Sequence, residues 1–133
     1  FNKNIKLKDI HNMFYIKNKL IGYTLLKKRN YNINKIKKYF KYLLFDTLII
    51  DKKYRKKKLS NLLMSFNNTV IKQLGYSSFL MCNKEHVSFY KKFNWIKLKV
   101  NNIVVKDHNF AGYGMAYNKK TSQNTKHYFY INR

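Results

Sequence analysis

Residues 49 to 65 read IIDKKYRKKKLSNLLMS, and two changes of character within them set the fold. Ile49 and Ile50 close the apolar run YLLFDTLII at 42 to 50, whose length and β-branched content predict a buried central strand. Six positive charges then fall within the seven positions 52 to 58, interrupted only by Tyr54. Beyond them Leu59, Leu62, Leu63, Phe66, Val70, Ile71 and Leu74 recur at three- and four-residue steps, predicting a helix from about Arg55 to Leu74 with Gly75 as its C-terminal cap. The charges therefore lie between a strand end and the first turn of the longest helix. Free N–H groups and the macrodipole make that position an anion site, which neighbouring Lys and Arg strengthen. A helix built for stability alone favours Asp or Glu in its first turn; Lys56, Lys57 and Lys58 go against that preference, and a bound polyanion would relieve the mismatch. A solvated loop is the competing reading.

Upstream, residues 12 to 28 read as a β-hairpin turning at Asn18-Lys19, with Gly22 marking a bulge or a close backbone approach. Residues 29 to 41 are polar, basic and rich in Asn, as expected of a loop with a short helix. Downstream, 77 to 83 predicts a short strand, 84 to 93 a short helix carrying Val87, Phe89, Tyr90 and Phe93, 95 to 100 an alternating strand, and 109 to 117 another. The segment 101 to 110 reads as a loop and 118 to 133 as a tail or edge strand. The expected order is ββ-β-α-β-α-β-β, an α/β mixed central sheet with helices on its faces, in a single domain over 1 to 133.

At 133 residues and 45% hydrophobic composition, the chain is long enough for one core. A net charge of +24 points first to nucleic acid or an anionic surface. The abundance of Lys, Asn, Ile, Tyr and Phe, the absence of Pro and the two Ala residues at 111 and 116 are equally what an AT-rich genome writes at unconstrained surface positions. The basic residues are spread along the whole chain, and no RNA- or DNA-binding motif is visible. A single cysteine, Cys82, excludes an internal disulfide and offers no metal cluster, which fits a reducing, cytoplasmic setting. No apolar run reaches membrane-spanning length and nothing resembles a signal peptide, so no membrane partner is expected. The chain opens on Phe1, consistent with removal of an N-terminal portion.

The segment LIIDKKYRKKKLSNLLM resembles the acetyl-CoA signature of the GNAT acetyltransferase superfamily, an apolar strand followed by Arg/Gln-x-x-Gly-x-Gly/Ala opening a helix. Arg55 takes the first motif position, Lys58 that of the central Gly and Ser60 that of the final Gly/Ala. NKEHVSFYKKFNW at 83 to 95 is similar to the family's downstream segment, with Asn83 and Tyr90 seven residues apart and Asn94-Trp95 in place of Gly-Phe. Asn tolerates the left-handed backbone that such a Gly position demands. KLIGYTLL, with Gly22, resembles the strands before the signature, so the likeness covers about 12 to 117, without a counterpart of the family's first helices.

The resemblance implies acetyl-CoA as cofactor. Leu48, Ile49 and Ile50 would offer strand contacts to the pantetheine chain, and the backbone of Arg55, Lys56, Lys57, Lys58, Leu59 and Ser60 would cradle the pyrophosphate. Tyr90 resembles the family's general acid, and Asn83 would bond the cofactor or fix the strand-to-helix junction; a core role is the alternative for Tyr90. Acids are scarce: Asp9, Asp46, Asp51, Glu85 and Asp107 are all there are. Asp46, a lone acid in an apolar strand, is the candidate base, with pairing to a Lys as the competing role. Asp51 reads as a turn or cap residue, His86 and His108 as exposed surface, and Cys82 as a core thiol.

The implied activity is acetyl-CoA-dependent acetylation of a primary amine, on a small molecule or at a protein N-terminus or lysine. A binding module of the same fold without transfer activity, and a nucleic-acid-binding protein, are the alternatives, the latter possible but not favoured.

Overall fold

The computed structural model describes residues 9–34, 37–55, 58–119 and 125–133. Strands β1 (Ile10–Ile16), β2 (Lys19–Ile33) and β3 (Phe40–Ile50) precede helix α1 (Leu59–Leu74), strand β4 (Ser78–Cys82) and helix α2 (Val87–Lys91). Then come β5 (Ile96–Lys97), β6 (Ile103–Lys106), β7 (Tyr113–Tyr117) and β8 (His127–Tyr130). The strands form one mixed sheet in the order β5-β7-β4-β3-β2-β8-β6, with β1 also paired to β2. The expected α/β class and the strand, helix, strand centre are both present.

Local chemistry accounts for the principal boundaries. Lys17 and Asn18 both have positive φ, at 48° and 67°, so the hairpin turns there, one residue earlier than expected, in the geometry that suits the twist of antiparallel strands. Gly75 ends α1 at φ 76°, its N–H donating back to the carbonyls of Ile71 and Lys72. Asn94 has φ 67°, the left-handed conformation expected of it. A Cβ on Gly22 would lie 2.9 Å from Leu63 of α1, so this glycine lets the helix close onto β2. It also adjoins a bulge, because Phe14 pairs with Gly22 and Tyr15 with Leu20, leaving Ile21 unmatched.

Both helices lie on one face of the sheet, not on both. Met64 and Ile71 of α1 join Leu26, Leu43, Phe45, Leu80 and Trp95 in one cluster, with Phe89 and Tyr90 of α2 packed against it. Asn68 fastens the two helical segments by donating to the Phe93 carbonyl at 2.9 Å and accepting from the Trp95 indole at 2.9 Å. On the other face the sheet curls on itself. Phe79 of β4 and Phe129 of β8 stack with ring centroids 3.9 Å apart, although β3 and β2 lie between their strands. A Cβ on Gly114 of β7 would meet Ile103 of β6 at 2.7 Å. Tyr42, Leu44, Leu98 and Ile131 fill the concave side.

The curl depends on three segments the sequence did not assign to it. The expected loop at 29 to 41 begins as strand, because β2 runs to Ile33 and pairs with β3 through Tyr31 and with β8 from Tyr31 to Ile33. Its basic character misleads: Arg29 is fully buried, ion-paired with Asp9 at 3.1 Å, and donates through Nε to the Ile131 carbonyl at 2.9 Å. The expected loop at 101 to 110 contains β6, which pairs in parallel with β8. The segment 118 to 133 contains β8, an inner strand between β2 and β6.

Candidate active site at the parting of two parallel strands

The strands β3 and β4 run parallel but pair only at Leu43–Ser78 and Leu44–Phe79. Beyond that point β3 continues to Ile50 against β2, while β4 continues to Cys82 against β7. The cause is on β3 itself. Leu26 pairs with Phe45 and Leu25 with Thr47, so Asp46 is an extra residue, and such a bulge bends its strand at the place where β4 is lost. The facing edges of the two strands are thereby left without ladder partners, a slot able to hydrogen-bond an extended amide chain.

One end of the slot meets the basic turn. Asp51 accepts from the Lys53 N–H at 3.0 Å and lies 3.6 Å from the Lys19 ammonium, and that backbone bond, with the two lysines, lowers its carboxyl below the usual range. It is a cap residue, as expected. Arg55 donates through Nε to the Ile50 carbonyl at 3.1 Å, so its guanidinium folds back over the strand end. Lys58 has φ 57° and ψ 18°, the left-handed conformation a glycine would adopt there without cost. Its carbonyl accepts from Asn61 and Leu62, leaving the Leu59 and Ser60 N–H groups at the helix opening, with no acid in the first turn. Lys56 and Lys57 lie outside the described residues.

The strand parting and this helix opening invite comparison with known proteins. No protein-family model matches the sequence, and no curated protein matches it. Solved structures do match. Escherichia coli YhbS, a GNAT family N-acetyltransferase in complex with CoA, superposes with a TM-score of 0.62 at 14% identity, covering 84% of this chain and 59% of that one. Escherichia coli ElaA gives 0.61 at 18% identity, covering 86% and 72%. The AtaT toxin, bound to the C-terminus of the antitoxin AtaR and acetyl-CoA, gives 0.53 at 16% identity, covering 74% and 58%. The chain has the GNAT acetyltransferase fold. It spans less than two thirds of the length of AtaT and of YhbS.

Within the GNAT fold of this chain the expected residues fall in three places. Leu48, Ile49 and Ile50 form the β3 side of the slot, with Leu48 against the helix-face core and Ile49 mostly exposed. Tyr90 reaches the same region from α2, its ring 6.2 Å from Phe45 and 6.2 Å from Trp95. Burial, with a smaller contribution from Cys82, pushes the Tyr90 phenol up to about 12, so it holds its proton throughout the neutral range. Burial likewise raises the Cys82 thiol, as befits a core residue. Asn83 is exposed at the end of β4; its carbonyl accepts from the His86 N–H at 3.0 Å and its side chain makes no capping bond. His86 and His108 are exposed.

Asp46 stands apart from Tyr90. Its carboxylate lies 3.3 Å from the ammonium of Lys27, which is almost entirely buried, and accepts from the Thr47 hydroxyl at 3.2 Å. Lys27, opposite Leu44, belongs to the concave side, so the expected acid and base approach the strand parting from opposite faces. Sequence reading missed Lys27, and also His11 and Tyr23, which share this face two and four places along their strands. Only the pairing register brings them together. A cavity of about 410 Å³, lined by Tyr31, Tyr76, Ser78 and His127 among others, opens at the other end of β3 and β4.

Proposed function

We propose that the chain is an acetyl-CoA-dependent N-acetyltransferase that acts on a primary amine by direct attack on the thioester. The observation that carries this reading is the bulge-driven slot between β3 and β4, which ends on an acid-free helix opening flanked by Arg55 and Lys58. Unpaired strand edges suit the pantetheine amides, and the Leu59 and Ser60 N–H groups suit the pyrophosphate. Bound there, acetyl-CoA supplies an activated acetyl group. The chain supplies the rest. The β3 edge at Leu48 to Ile50 orients the extended arm, and the Arg55 and Lys58 charges hold the phosphates. When an amine displaces the thiolate of the bound thioester, the Tyr90 hydroxyl would supply the proton to the departing sulfur. An ammonium acceptor must first lose a proton, a role we give to the groups on the concave face. The strong positive charge of the chain disfavours polycationic acceptors and favours an anionic amine or an acidic protein N-terminus.

A second reading has its own observation. Lys58 carries a Cβ in the left-handed conformation where a glycine lets backbone and phosphate approach, which favours a cofactor-binding module of lowered affinity.

Calorimetric titration with acetyl-CoA at about 0.15 M salt, with ATP as polyanion control, tests the cofactor assignment. Saturable binding of acetyl-CoA far tighter than ATP is expected; equal weak binding of both would reduce the basic turn to a charged surface.

A further inference from the structure

Among the described residues, one group of titratable side chains outside the cofactor slot faces the concave side of the strand parting. His11 of β1 and Tyr23 of β2 meet through Nδ1 and the phenol oxygen at 2.6 Å, their rings stacked 5.8 Å apart. Tyr23 and Lys27 lie on the same face of β2, four residues apart, and Lys27 holds Asp46 at the bulge. Burial raises the Tyr23 phenol, and the nearby Asp46 and Asp9 carboxylates raise it further. His11 and Tyr23 are half-buried and Asp46 keeps 29% of its side-chain exposure, so an incoming substrate can reach the group.

The charges balance. Asp9 is paired with Arg29 and Asp46 with Lys27, so two carboxylates offset two cations around the His11 and Tyr23 pair. In a chain of net charge +24, this neutral patch is where an additional positive charge can form without strong repulsion. Asp46 itself is engaged by Lys27 and Thr47, which leaves it as an electrostatic support for a neighbouring cation.

Resting on the transferase reading above, we propose that Tyr23 takes the proton from the acceptor ammonium while passing its own hydroxyl proton to Nδ1 of His11. The amine is left neutral, the tyrosine keeps one proton, and an imidazolium forms beside Asp46 and Asp9. Tyr23 is the group that touches the amine; His11 acts through it.

The geometry requires that resting His11 carry its proton on Nε2, so that Nδ1 accepts from Tyr23. Nitrogen-15 NMR of the ring-labelled protein, without cofactor, reads this directly. The expected spectrum shows an accepting Nδ1 whose signal changes in Tyr23→Phe; a protonated Nδ1 in the resting neutral ring would overturn the relay. Kinetics give the second test, with acetyl-CoA and two probe acceptors, glucosamine 6-phosphate and a short acidic peptide with a free N-terminus. Tyr23→Phe and His11→Gln should each lower kcat by about 10²-fold, with KM for acetyl-CoA unchanged and the double variant no slower than either alone. In His11→Gln the acid limb of the pH profile should move up to the amine's own ionisation. Wild-type turnover with both variants unaffected overturns the relay alone. Binding of acetyl-CoA with turnover of neither probe overturns the transferase reading and the relay with it.

Discussion

The two faces of the sheet solve the same problem in opposite ways. The helix face is closed by apolar side chains and aromatic rings, and the polar groups it takes in are uncharged: Asn68 with the Trp95 indole, and the Tyr90 phenol. The concave face buries charge outright. Arg29 is fully buried and Lys27 nearly so, the first matched to Asp9 just before β1 and the second to Asp46 of β3. Of only five acids in the chain, two are spent on these pairs. A third, Asp107, accepts the Ile131 N–H at 2.8 Å and so fixes the C-terminal segment. Where acids are scarce, their positions show which parts of the fold need them: here, the strand parting and the closure of the curl.

Breaking a buried pair should have the largest effect. Arg29→Met leaves Asp9 buried without its cation and should lower stability by about 3–5 kcal/mol in urea unfolding, while Arg29→Met combined with Asp9→Leu should recover most of that loss. If the single variant proves as stable as wild type, the contrast between the faces loses its energetic basis. Next in size is the uncharged face at high pH. The folded Tyr90 pKa of about 12 lies above the ordinary value of 10.0, so the native state holds a proton that the unfolded chain releases. Its contribution is therefore fully present below about pH 10 and is lost as pH rises through 12, on the order of 2 kcal/mol. Tyr90→Phe should flatten that alkaline loss in thermal melts between pH 9 and 11, roughly the onset of tyrosine ionisation. The same variant should retain acetyl-CoA binding and lose turnover. The smallest effect belongs to the turn between the faces. Lys58→Gly should raise stability by a few tenths to about 1 kcal/mol by relieving the left-handed Cβ, and should tighten acetyl-CoA in calorimetry. Unchanged affinity would count against the weakened-cradle reading.

The helix face was largely legible in the sequence because its signals are local. The Leu/Phe/Ile period, the Gly75 cap and the Asn94 turn each need only neighbours within a few residues, and the structure has all three. The concave face was not legible because its logic is pairing. Arg29 reads as a surface charge until Asp9 is laid beside it across two strands. The Asn-rich end of β2 reads as loop until β8 supplies its ladder. Asp46 stood out as an acid in an apolar strand, but its role as the bulge residue follows from register, which periodicity does not encode. His11 and Tyr23 gave no signal at all, since nothing in either residue's own neighbourhood marks it as half of a pair.

The reach of Arg29 also sets an order of assembly. Its partner Asp9 lies 20 residues away in the chain, whereas the Ile131 carbonyl that receives its Nε lies 102 residues away. During synthesis the β1–β2–β3 meander can form early around the Arg29 and Asp9 pair, but the far end of β2 waits for β8, and β6 waits with it. Until β8 has been made, the concave face stands open with a strand edge exposed. The chain's large positive charge then acts as a guard, keeping these unfinished copies from pairing with one another.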